Sequence, residues 1–368
     1  MRVSSAARVE MLPAARPCGA DLLTSMLAAL LFMPLGLLST GCLNPYLIRQ
    51  MAGQVQVLAR ARPVGDALAD PALPAETRAR LGETRRVLEF AREQGFTVGG
   101  SYQTFVDLGE RPPVWVLFAT PPDALEPHLW RFPLVGWFPY KGFFDRQAAL
   151  REKARLEEQG LEALIRPAGA YSTLGWLPDP VFSSILLGDA GERAEVLLHE
   201  LTHRTLFVRG RTRFNEGLAT FLGEAAAERY LAATYGEDSA EVGGWRARLR
   251  DRRLLAGVVE EALASLREGF RNPSRAARLL CRELVLAKLP LDLEATPFET
   301  TAARAYRSML WSLPLLLSHD LYGGERGLFE RAFVGCGSRI PDLIAEVRAL
   351  TSGGGGSGRA TPAVGGIP

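Results

Sequence analysis

Residues 189–224 read DAGERAEVLLHELTHRTLFVRGRTRFNEGLATFLGE, and both the fold and the function turn on this stretch. Asp189 followed three residues later by Glu192 fits a capping box, which opens a helix at 190. The helix should end near Val208, where Arg209-Gly210-Arg211 makes a turn, and a second helix should run from about 215 to 234. His199 and His203 stand four residues apart. That spacing puts both imidazoles on one helical face, within reach of one metal ion. Glu200 is rotated away from that face by one residue, so its carboxylate lies outside the ligand set and is the candidate general base.

A five-residue HExxH pattern also occurs on solvated helices, so its surroundings decide the reading. Val196, Leu197, Leu198 and Leu201 flank the histidines, which makes this a buried helix. Burying two imidazoles and a carboxylate costs several kcal/mol unless they are paired or bind a metal. Two histidines alone hold zinc poorly, so a third ligand must come from elsewhere. The acidic candidates on the next helix are Glu216, Glu224 and Glu228. Glu224 lies about 12 Å further along a helix axis than Glu216 at 1.5 Å per residue. The connection 209–214, at about 3.3 Å per extended residue, returns the chain to the level of His203 and favours Glu216. Asn215 is read as the cap of the second helix. A metzincin would carry a third histidine soon after His203, whereas the next here is His319. The expected site is therefore one Zn2+ per chain on His199, His203 and Glu216, with a position left open for water.

The N-terminus predicts export. Residues 22–41 carry no charge and are mostly apolar, and Arg2, Arg8 and Arg16 precede them. Twenty such residues also match a membrane span in length. The run ends in Gly41-Cys42, similar to a bacterial lipobox in which the cysteine is acylated and becomes the mature N-terminus. Residues 1–41 are thus expected to be a lipoprotein signal peptide, with Cys42 lipidated. The protein would be held on a membrane of the cell envelope, facing the periplasm. The formal charge is +2, from 43 basic and 41 acidic residues, and a balance of this kind gives no support to a nucleic-acid partner.

Between these two regions the chain alternates. Helical spacing covers 46–62, 75–95 and 145–159, the last with Asp145 as N-cap. VWVLFATP (114–121), WRFPLVGWFPYKGFF (130–144) and LEALIRP (161–167) read as strands. Beyond 236 further helices are expected over about 240–270, 275–288, 299–322 and 340–350, followed by a Gly-rich tail expected to be disordered. The expected fold class is α+β. A small N-terminal α/β part (42–185) with a mixed or antiparallel sheet packs on a largely helical, zincin-like part. The latter consists of the metal-binding helix pair (186–236) and a helical region (237–350), with 351–368 as tail.

At HELTH and FNEGLATFLGE (214–224) the chain resembles the gluzincin group of metallopeptidases, which includes thermolysin and aminopeptidase N. Over most of its length it more closely resembles a family of bacterial lipoproteins called "putative aminopeptidases". The landmarks are GCLNPYLIRQMAGQ after the signal, SYQTFVDLG (101–109), YKGFFD (140–145) and AYSTLGWLPDPVFSSIL (170–186). The resemblance implies a zinc peptidase acting on peptide substrates. Two features depart from thermolysin. The gap between His203 and Glu216 is shorter, and Thr220 stands where thermolysin-like enzymes have an Asp that orients a histidine ligand.

Softer candidates remain. Tyr171 is a candidate oxyanion donor or a packing residue. VWVLFATP is a candidate edge strand for an extended peptide. His319 is a second oxyanion candidate or a satisfied core histidine, and His128 is read as surface. Cys281 and Cys336 are either a disulfide or, for Cys281, a buried helical residue. A second function class is also open, a lipoprotein that keeps zinc for structure or binds peptide without cutting it. Glu200 argues against it, since a structural site needs no general base and is usually closed by four ligands.

Overall fold

The computed structural model describes residues 45–352 apart from 133–135, 172, 174–176 and 324. The signal segment, Cys18, Cys42 and the tail beyond 352 lie outside the described residues. Helix α1 spans Pro45–Ala59. From Gly53 onward the chain forms one compact unit.

The α+β expectation holds. The strands are short and fall into three small sheets. In the first, β1 (Arg62–Pro63) pairs antiparallel with β2 (Thr104–Val106), which pairs parallel with β8 (Val181–Phe182). The second is antiparallel, with β3 (Val114–Thr120) between β6 (Tyr140–Phe143) and β7 (Glu162–Ala168). The third is the pair β4 (Trp130–Phe132) and β5 (Gly136–Phe138). The strand read as a substrate edge is therefore paired on both sides. β3 is the centre of its sheet, and Leu117, Phe118, Ala119 and Thr120 are buried. A near-continuous apolar run of this kind marks a central strand rather than an edge.

Two helices, α2 (Val64–Ala69) and α3 (Ala75–Glu93), precede β2. Helix α4 (Arg146–Glu158) lies between β6 and β7, and Asp145 caps it by accepting from the backbone N–H of Gln147 and Ala148. The C-terminal half is helical throughout. Helix α5 (Ala190–Thr205) opens with the expected capping box: Asp189 accepts from the Glu192 N–H at 2.9 Å, and Glu192 accepts from the Asp189 N–H at 3.0 Å. Then come α6 (Thr212–Tyr235), α7 (Ala240–Gly269) and α8 (Arg275–Ala295). The single helix expected over 299–322 is instead a short α9 (Arg304–Arg307) and α10 (Leu313–Gly323), with Pro314 in the first turn of α10. That place suits a residue that cannot donate an N–H. Helices α11 (Arg326–Gly335) and α12 (Ile340–Ser352) complete the described chain. No helix among the described residues is long and apolar enough to cross a membrane.

One apolar core runs from the first small sheet (Phe105, Val181, Phe182) through α5 (Leu197, Leu198, Leu201) and α6 (Leu218, Leu222) to α12 (Leu343, Ile344). A second joins α7, α8 and α10 through Leu263, Leu266, Leu289, Leu293 and Leu316. Cys281 packs beside the second core and Cys336 beside the first, and both thiols are free, so the disulfide is not formed.

The helices approach so closely that several glycines cannot be replaced. An added Cβ at Gly191 would stand 2.5 Å from Cε3 of Trp245, a ring that is only 2 % exposed and cannot swing aside. Gly191→Ala should cost about 1–3 kcal/mol through overpacking. At roughly 2–4 °C per kcal/mol for a chain of this size, the loss is readable in a thermal melt. An unchanged melting temperature would show that α5 and α7 are not packed this way.

Candidate metal centre

Helix α5 presents its apolar face, Leu197, Leu198 and Leu201, to the core, which leaves His199 and His203 together on the next face. Their Nε2 atoms stand 3.2 Å apart. The chain then leaves α5 at Leu206 and turns through Gly210, whose φ of +77° belongs to the left-handed region that glycine enters without strain. It enters α6 at Thr212. Asn215 is not the cap of this helix, which begins three residues earlier with Arg211 as N-cap. Its amide instead closes the loop, accepting from the Val208 N–H at 2.9 Å and donating to the Val208 carbonyl at 2.8 Å. This two-point clamp fixes where the next residue points.

That residue is Glu216. Its Oε2 lies 3.5 Å from Nε2 of His199 and 3.5 Å from Nε2 of His203. Its Oε1 accepts a 2.9 Å hydrogen bond from the Tyr140 hydroxyl. The three side chains form a group able to hold a metal ion, as the sequence expected. The spacing tests the fit: two ligand atoms at about 2.0–2.1 Å from one tetrahedral ion stand about 3.3 Å apart. The observed separations of 3.2, 3.5 and 3.5 Å bracket that value. The set of two imidazole nitrogens and one carboxylate suits a divalent ion of intermediate softness. His203 Nδ1 is buried and has no hydrogen-bond partner among the described residues.

Close helix packing makes this possible. A Cβ at Gly223 of α6 would stand 3.1 Å from the Glu195 carbonyl oxygen and 3.3 Å from both N and Cβ of His199. Glu195, one turn before His199, and Glu224, about two turns beyond Glu216, are held elsewhere. Arg252 pairs with both, and Arg326 also pairs with Glu224. Glu216 is therefore the acidic residue left for the histidines.

The cluster opens on a cleft of about 980 Å³ whose wall includes His199, Glu200, Thr220, Arg166, His319 and Tyr322. Burial lifts the Glu200 carboxyl above its ordinary range, against the opposing charge of the two imidazoles. Glu216 feels the same burial, but His203 and His199 outweigh it and hold that carboxyl far below the usual range. Burial works against a charge on His199, yet Glu216 and Glu200 raise it overall.

The other sequence candidates take other places. The Tyr171 hydroxyl donates to Gln54 Oε1 at 2.7 Å, and its ring packs on Phe144 and Phe182, so it is a packing residue here. Tyr322 lines the cleft instead: its ring is 6.4 Å from His199, and Glu216 and Glu200 both act on its hydroxyl. Tyr140 and Tyr322 were missed. Tyr140 lay in the YKGFFD landmark, and Tyr322 lies three residues beyond His319, on the same side of α10. Thr220 is on the cleft wall, but among the described residues its hydroxyl makes no hydrogen bond to either imidazole. His319 is not a satisfied core histidine, since its Nε2 is buried without a partner among the described residues. Burial, then Arg166, pushes it down to about 4, so it is neutral at pH 7. His128 is half-buried, with its ring against Trp130 at 4.6 Å, rather than on the surface.

Fold and site together define an α+β protein with a three-ligand candidate metal centre beside a cleft. The sequence model of the family described as "Putative aminopeptidase" matches residues 45–357, and the chain belongs to that family, whose description supports a peptidase. No curated protein and no solved structure matches the chain.

Glu216→Gln should lower metal affinity at least about tenfold, as loss of one of three ligands. Glu224→Gln should leave affinity nearly unchanged and instead lower stability, because Arg252 and Arg326 lose their buried partner. Competition against a chromogenic chelator, with melts in parallel, separates the two. Equal affinities for the two variants would remove Glu216 from the ligand set.

Proposed function

We propose that the chain is a zinc-dependent peptidase of the bacterial cell envelope, of gluzincin type and held on a membrane by a lipid at Cys42. The observation that carries the reading is the convergence of His199, His203 and Glu216 within 3.5 Å, beside a cleft lined by His199 and Glu200, in a chain of this family. A zinc ion on these three ligands would supply Lewis acidity, polarising the scissile carbonyl and acidifying the attacking water.

The chain's own groups do the rest. Glu200 accepts a proton from the attacking water and returns it to the leaving amine. A carboxyl raised by burial is suited to both tasks near neutral pH. Tyr322 donates its hydroxyl to the carbonyl oxygen as negative charge gathers there. Tyr140 holds Oε1 of Glu216 and so keeps Oε2 turned toward the imidazoles. The substrate lies extended along β7, whose Arg166, Pro167 and Ala168 line the cleft. Among the described residues β7 pairs with β3 alone, so its other edge can take a peptide backbone.

In zinc-loaded protein, Glu200→Gln should keep fold and metal and lose about 10²–10⁴-fold in turnover of any peptide the parent cuts. Tyr322→Phe should lower kcat with little change in KM, whereas Tyr171→Phe should leave both as they are. A Glu200→Gln variant that still turns over normally would defeat the mechanism, and the reverse ranking of the two tyrosines would reassign the oxyanion donor.

The anchor is tested separately. Mass spectrometry of the mature protein should find a chain that starts at an acylated Cys42. A different N-terminus, or a Cys42→Ser variant still processed and membrane-bound, would contradict it.

A further inference from the structure

Several arginines line the cleft, of which Arg253 and Arg267 are exposed to solvent. Arg213 is paired with Asp320, Arg252 with Glu195 and Glu224, and Arg326 with Glu224 and Glu330. Arg166 lines the same cleft from β7 and is half-buried, yet it has no carboxylate partner among the described residues. Among those residues its side-chain hydrogen bond, at 3.3 Å, goes to the hydroxyl of Ser318, a neutral group on α10. Its charge falls on His319, which is uncharged at neutral pH, and on the hydroxyl of Tyr322.

A guanidinium carries five N–H donors in a flat fork, and one bond to a serine leaves most of them unused. A fully buried cation is matched by an anion, and a half-buried one with unused donors can take its anion from a ligand. Here Arg213, Arg252 and Arg326 have carboxylate partners, and the half-buried Arg166 has none among the described residues. The unused donors face the cleft that Tyr322 and His199 also line.

We propose that Arg166 anchors a carboxylate of the bound peptide, so that the cleft selects peptides bearing a carboxylate close to the bond presented to the metal centre. This rests on the peptide-binding half of the function proposed above. The carboxylate comes either from an acidic side chain or from a free C-terminus. Both offer the same bidentate acceptor. Ser318 is the positioning residue: its hydroxyl holds one Nη of Arg166 and itself donates to the Leu315 carbonyl at 2.8 Å, which fixes the fork against α10.

The experiment uses zinc-loaded protein carrying Glu200→Gln, so that binding is read by calorimetry without hydrolysis. Three tripeptides serve as probes: Leu-Ala-Glu amide, with an acidic side chain only; Leu-Ala-Gln with a free C-terminus; and Leu-Ala-Gln amide, with no carboxylate. At least one of the first two should bind about tenfold or more tightly than the third, the scale of one charge-assisted pair. The probe that wins identifies the source. Adding Arg166→Met should erase the preference while the neutral amide binds as before, and Arg166→Lys should restore part of it. Melts of both variants check folding, and Ser318→Ala, which leaves the guanidinium in place, should weaken the preference without erasing it. No preference in the parent, including no binding of any probe, overturns the proposal. So does a preference that survives Arg166→Met, or an Arg166→Met loss equal for all three probes in folded protein. A parent that shows the preference and yet, with Glu200 restored, cuts no peptide keeps the anchor and loses the peptidase reading.

Discussion

The structure depends on one buried carboxylate held between two imidazoles. Glu216 is 6 % exposed and His203 9 %, and a charge so far from water must be met by partners. The partners here are His199 and His203 on one side and the Tyr140 hydroxyl on the other. Meeting that requirement sets the distance between α5 and α6, and Gly223 removes the side chain that would hold them apart. The capping box at Asp189, the turn at Gly210 and the Asn215 clamp then follow as devices that fix the register of the two helices. If any one slips, three ligand atoms that must lie within a few ångströms of one another separate.

A second layer of charge lies beside this cluster. Glu195 is four residues before His199, and Glu224 is eight after Glu216, so each helix carries an extra acid near the metal ligands. Arg252 and Arg326 neutralise both. Without those arginines the centre would face competing carboxylates, and Glu200, already raised by burial, would be pushed further. Ion pairing here is less a source of net stability than a way to decide which acids stay available.

What the sequence reveals follows from the distance over which each feature is encoded. His199, Glu200 and His203 are legible because helical periodicity is a local rule, and Glu216 because a short loop leaves few alternatives. The N-caps Asp189 and Asp145 are legible for the same reason. Asn215 was misread because Ser, Thr, Asn and Asp serve both as caps and as loop clamps, and the helix opens before it rather than at it. The role of β3 was misjudged because strand neighbours are set by β6 and β7, which lie up to about fifty residues away in sequence. Its apolar run VWVLFAT already pointed to a strand buried on both faces. Tyr322, Tyr140 and Arg166 leave no local mark, since each meets the site only through tertiary packing. Tyr171, which stands closer in sequence to the motif than Tyr140 does, was a tempting substitute, and the chain turns it toward Gln54.

The Asn215 clamp also bears on the order in which the molecule assembles. All three ligands lie between residues 199 and 216, so the chain that must close to bring them together is short, and the entropy lost on closing it is small. Tyr140 joins Glu216 across a sequence separation of 76 residues, and Arg166 meets Ser318 across 152. Contacts that distant form late, because long loops must close first. The α5–α6 hairpin can thus bring its candidate ligands together while the cleft around it is still open chain. The hairpin would then serve as a nucleus on which the remaining helices and the β3 sheet condense.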